Sequence, residues 1–231
     1  MHMKVDTPTV AGHRKVLCSI AALSLAAAGA VFLLVKLNGP LPGELRFEAW
    51  RVGGGYPGTL SRPMTFVTYL GDTWVAAGSV LLLAAVTAEE IGRRWAVLVV
   101  AAAGGAVLAE LLSEILGPTS PEYAGAAGVN LGPGNNFPSG HAAYAVSVYG
   151  LASWLAFERG HRALAGSLAL PVLLIGPSLA LLGNHYPADI LAGYAIGLGW
   201  MISVLLLGER WARGRPSRPA LASALRDPAM L

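Results

Sequence analysis

Two histidines and an aspartate are the residues of this chain best placed to do chemistry. His141 stands in "NNFPSGHAAYAV", at the lip of an apolar run, and His185 and Asp189 stand in "GNHYPADILAGY". Proline suits the first turn of a helix. A helix that begins near Pro187 therefore lets the Asp189 carboxylate reach back toward the His185 ring through a spacing of four. A carboxylate on one ring nitrogen fixes the tautomer and leaves the other lone pair free to attack. A single interfacial histidine is most often structural, and a histidine-to-aspartate spacing of four arises readily by chance. The coincidence of location is what raises this set: all three residues fall at helix entrances, where backbone N–H groups favour an anion.

The elements that position them are membrane helices. The 231 residues are 55% hydrophobic and only 13% charged, with a mean hydropathy of +0.57, which is a membrane-protein composition. A span needs roughly 20 apolar residues. Six stretches meet or approach this, at about 16–35, 64–86, 95–116, 141–157, 163–182 and 190–207; the second contains Asp72. The first exceeds the apolar core of a cleavable signal and reads as a retained helix. The expected fold is thus an all-α integral membrane protein of six transmembrane helices: an N-terminus over 1–15, a membrane domain over 16–208 and a basic tail over 209–231.

Charge sets the expected orientation. Lys4, Arg14, Lys15, Arg93, Arg94, Arg159, Arg162 and five arginines of the tail fall on one side, leaving Lys36, Arg46, Arg51 and Arg62 on the other. By the positive-inside rule both termini are cytoplasmic, and the histidines and Asp189 face outward. The formal charge of +3 then reflects topology and anionic headgroups rather than nucleic acid, for which there is no basic, aromatic-interleaved patch. The single Cys18 cannot form an intrachain disulfide. The outward connections at 37–63, rich in Gly and Pro, and at 117–139 are long with little expected structure, as functional loops often are. Many arginines, few lysines and abundant alanine suggest a GC-rich bacterium, and the apolar spans place the chain in its cell membrane.

With Pro138-Ser139-Gly140-His141 followed by Ser178, His185 and Asp189, the chain resembles the type 2 phosphatidic acid phosphatase superfamily, whose membrane members have six helices. The likeness runs over roughly 64–208. The family pattern is Lys, six residues, Arg, Pro; then Pro-Ser-Gly-His; then Ser, Arg, five residues, His, three residues, Asp. The resemblance implies that His185 is the nucleophile that takes up the phosphoryl group, that Asp189 orients it and that His141 protonates the leaving oxygen. It also implies that Ser139 and Gly140 offer donors to phosphate oxygens, and it calls for no metal or other cofactor. A neutral imidazole that attacks beside a protonated one that donates is consistent chemistry.

Three positions depart from the pattern. Aligned on its glycine and proline, "SEILGPTSP" puts Ser113 where the family has Lys and Ser120 where it has Arg, while Leu179 follows Ser178 in place of the last arginine. At about 1.5 to 3 kcal/mol per charged hydrogen bond, the three absent cations are worth roughly 4 to 9 kcal/mol, or about 10³- to 10⁶-fold in rate. Glu110 and Glu114, one turn apart on the third span, add negative charge, either paired locally or facing the site. Three compensations are open. An arginine of the first outward loop (Arg46, Arg51 or, best placed by sequence, Arg62) folds over the site; Asn135, Asn136 or Asn184 supplies neutral donors; or the substrate is not a phosphate monoester.

The expected function is a membrane lipid phosphatase or phosphoryl-group transferase acting on phosphatidate, phosphatidylglycerophosphate or a polyprenyl phosphate. The alternatives are a catalytically altered relative that binds lipid or a partner and, least supported, a transporter using Asp72, Glu110 and Glu114.

Overall fold

The computed structural model describes residues 13–116 and 137–213. The described secondary structure is helical. In chain order, α1 is Arg14–Asn38, α2 Glu44–Trp50, α3 Ser61–Tyr69, α4 Thr73–Glu90, α5 Arg93–Ala102 and α6 Gly104–Leu116. They are followed by α7 Gly140–Tyr144, α8 Leu151–Glu158, α9 Arg162–Leu182 and α10 Pro187–Arg213. A π-type turn, Ala145–Gly150, joins α7 to α8, so residues 140–158 form one rod with an extra residue in its winding. Among the described residues, five helical stretches are long and apolar enough to cross a membrane: Arg14–Asn38, Thr73–Glu90, Arg93–Ile115, Arg162–Leu182 and Pro187–Trp211.

Several expected spans begin or break elsewhere. The run expected over 64–86 is divided: α3 ends at Tyr69, and Asp72 caps α4, its Oδ1 accepting the Trp74 N–H at 3.3 Å. The acid therefore lies at a helix entrance, where its carboxylate meets free N–H groups, and not inside a span. The third stretch is two helices, with Trp200 of α10 filling the space beside Gly104 and donating its indole N–H to the Ala101 carbonyl at 2.8 Å. The first outward connection, expected to carry little structure, contains α2. The last helix runs past 208, to Arg213.

Small residues let these helices meet, as packing within a bilayer requires. Ala21, Ala28 and Val35 are buried at seven-residue spacing on α1, which lies along α10. Gly193 and Gly197 bring α10 onto the backbone of Ser139 and Ala143, leaving no room for a Cβ at either position. In α9, which contains Pro171 and Pro177, the Tyr194 hydroxyl donates to the Val172 carbonyl at 2.6 Å and accepts from the Gly176 N–H at 2.9 Å. It thereby bridges two groups one turn apart that a regular helix would pair directly. The outer faces of α1 and α4 remain apolar and exposed, with Leu23, Leu33, Trp74, Leu81 and Leu82 among them, as lipid contact demands.

Candidate active site

The Pro-Ser-Gly-His turn is held from three sides. Phe137, 2% exposed, packs in a cluster with Ala28, Ala192 and Ile196, its ring 5.7 Å from that of Phe32. The buried Ser139 caps α7, Oγ accepting the Ala142 N–H at 3.3 Å. Its own N–H donates to the Asp189 carbonyl at 3.0 Å, and this bond joins the His141 turn to the first turn of α10. The Tyr144 hydroxyl meets Ser79 Oγ at 2.5 Å, and the Tyr149 hydroxyl donates to the Leu70 carbonyl at 3.2 Å. The break between α3 and α4 is thereby placed beside His141. A Cβ on Gly71 would lie 2.8 Å from His141 Cδ2, so the imidazole rests directly on the Gly71 backbone.

His185 and Asp189 stand at the start of α10. The chain leaves α9 through Gly183, whose φ of 76° is left-handed and suits glycine. The Asn184 and His185 N–H groups return to the Leu179 carbonyl at 2.9 and 3.4 Å. Asp189, 2% exposed, accepts the Tyr186 N–H on Oδ2 at 3.0 Å, and the same oxygen lies 3.5 Å from His185 Nδ1. That separation is a contact rather than a formed hydrogen bond, and it leaves Nδ1 buried without a hydrogen-bond partner. Hydrogen bonds of such pairs are often long in the absence of substrate. His141 lies within electrostatic range of both His185 and Asp72.

The other sequence candidates separate here. Ser178 is fully buried, its Oγ shared between the Ile175 carbonyl at 2.8 Å and Thr68 Oγ1 at 2.9 Å, so its hydroxyl ties α9 to α3. Ser113 is buried and donates to the Glu110 carbonyl at 3.0 Å. Leu179, 1% exposed, is part of the core. Asn184 is exposed. Ser120, Asn135 and Asn136 lie outside the described residues. Glu110 packs against Gly140, where a Cβ would collide with its carboxylate, so an acid stands at the α7 entrance. Glu110 and Glu114 both line a cleft of about 610 Å³ that runs from His141 between α4, α6 and α7.

Among the described residues, the cation that lies against the His185 turn is Arg51. Arg62, the residue favoured by sequence position, is exposed and lines a separate shallow recess with Ser61, Thr65, Phe66 and Tyr69. The Arg51 guanidinium instead lies over Gly183, where a Cβ would come within 2.6 Å of it. It forms a two-pronged pair with Glu48 through Nε and Nη2, and this hydrogen bonding strengthens its hold on the proton. Sequence reasoning missed Glu44, which anchors the segment. It is 5% exposed, and its two oxygens accept the Ala188 N–H of α10 and the Leu41 N–H, each at 2.7 Å. Burial pushes its carboxyl above the ordinary range, with the Asp189 charge adding to the shift and the two N–H donors opposing it. The one available signal was its place at the start of "ELRFEAW", a short helical pattern inside a Gly- and Pro-rich loop.

The fold and the site together define a helical membrane protein with a histidine pair and a carboxylate gathered at one end of the bundle. Residues 71–213 match the model of the PAP2 superfamily, and the chain belongs to that family. Its fold is similar to a crystal structure of a transmembrane PAP2-type phosphatidylglycerolphosphate phosphatase from Bacillus subtilis. The TM-score is 0.68 and the identity 22%, with 86% of this chain and 98% of that one covered. No curated protein matches the sequence.

Proposed function

We propose that the protein removes or transfers a phosphoryl group from an amphipathic lipid phosphate, of the phosphatidate, phosphatidylglycerophosphate or polyprenyl phosphate class. The observation that carries this reading is the joining of the His141 turn to the Asp189 turn by the Ser139 to Asp189 backbone bond, at the head of an apolar cleft. His185, oriented through Nδ1 by Asp189, attacks phosphorus while the P–O bond to the lipid breaks. His141 gives its proton to the departing lipid oxygen, and water then hydrolyses the phosphohistidine or an acceptor alcohol takes the group. The free N–H groups at the α7 entrance receive phosphate oxygens, and Arg51 supplies positive charge that Ser113, Ser120 and Leu179 lack. The cleft walls, including Ala76, Val80 and Val107, take the lipid chain.

Residues 140–158 would complete a set of six spans, with both termini cytoplasmic and the histidine pair at the outer face. Purified protein is expected to release phosphate from at least one of these lipid classes, and His185→Ala to abolish the release. Absence of release from all three would count against phosphatase chemistry.

A second reading has its own observation. The described clamp positions are uncharged, and the Glu110 carboxylate stands against Gly140, which fits a relative that binds lipid or a partner without turnover. In that case cells carrying His141→Ala and His185→Ala would keep the phenotype that deletion of the whole protein loses.

A further inference from the structure

At the end of the helices remote from His141, a second recess of about 780 Å³ opens between the last turns of α4 and α8 and the first turn of α9. Leu83, Val86, Leu155 and Leu168 give it apolar walls, and Arg159, His161, Arg162 and Glu90 stand around it. Arg159 donates through Nη1 to the Glu90 carbonyl at 3.3 Å, but its Nη2 is buried and has no hydrogen-bond partner. Neither Arg159 nor Arg162 is ion-paired with an acid among the described residues. A buried guanidinium nitrogen without an acceptor is costly, and here it lines a cavity whose walls are hydrocarbon. The first turn of α9, which has no side-chain cap, adds its own positive end to the same rim. Glu90, the one acid among the described lining residues, is exposed, where solvent weakens its opposition.

We propose that this recess is a binding site for one anionic phospholipid from the leaflet at that end of the bundle. The phosphate accepts from Arg159 Nη2 and Arg162, and an acyl chain lies along Leu83, Leu155 and Leu168. Charge complementarity selects an anionic over a zwitterionic headgroup, because two guanidinium groups without an acidic partner among the described residues face the site, and none of the described lining residues is a buried acid that could balance an ammonium. The apolar walls select a lipid over free phosphate. The site is separate from the histidine pair and does not depend on the reaction proposed for it.

Native mass spectrometry of the full chain in mild detergent, titrated with phosphatidylglycerol and phosphatidylcholine of matched chains, tests this. The wild type should keep one phosphatidylglycerol through delipidation and hold it about ten-fold or more tightly than phosphatidylcholine. Arg159→Gln combined with Arg162→Gln should remove that preference. Ala163→Trp, at an exposed position in the recess, should displace the lipid with both cations intact, which keeps the test decisive if the arginine variant is poorly folded. Equal retention of the two lipids by the wild type, or phosphatidylglycerol retention unchanged in Ala163→Trp, would overturn the proposal.

Discussion

In the proposed reaction Arg51 stands in for the missing clamp cations, and Gly183 makes room for it. Gly183 is left-handed, and its missing side chain is the space the guanidinium occupies. Alanine there would meet both penalties, a backbone cost of about 1 kcal/mol and displacement of Arg51. Arg51→Ala is expected to lower kcat/KM about 10- to 150-fold, the worth of one charged hydrogen bond. Gly183→Ala should do the same and also lower Tm. Turnover unchanged in Arg51→Ala would remove this residue from the site. The placement of the histidines and Asp189 at helix entrances was legible in the sequence because spacing and helix starts are local features. Arg51 was not, since the choice among Arg46, Arg51 and Arg62 depends on how a 27-residue connection, 37–63, folds back on the bundle.

At the scale of elements, α2 acts as a clasp whose fastening is Glu44. Its carboxylate binds the Ala188 N–H at the entrance of the helix that carries Asp189, and burial raises its pKa. A raised carboxyl means the folded protein holds this proton more tightly than the unfolded chain. Stability from this group is therefore fully present below the ordinary carboxylate range, near about 4.3, and is lost as pH rises through the raised value. The Tm of wild type minus that of Glu44→Gln should grow as pH falls from 7 toward 5, measured by thermal unfolding in detergent; a difference independent of pH would contradict the clasp. Helix existence was readable from apolar length, but helix breaks were not. The α3–α4 break rests on Gly71 and Asp72 inside an apolar run, and hydropathy averages over both. The π-type turn at 145–150, which packs against α9 and α10, leaves no mark in composition.

For the whole molecule, the positive end and the histidine end are opposite ends of the same bundle. Arg159 and Arg162 flank the short turn between α8 and α9, a helix length away from His185. With Cys18 replaced by serine, a cysteine at Asn184 should react with an impermeant thiol reagent in intact cells, whereas one at Glu158 should react only after permeabilisation. The reverse pattern would invert the proposed topology. The central claim, that His185 accepts the phosphoryl group, is tested most directly by trapping. Protein incubated with lipid labelled in its phosphate and quenched in alkali, which preserves phosphohistidine, should carry label on His185, and His185→Ala should carry none. Full phosphate release by His185→Ala, or label that persists in that variant, would contradict the account.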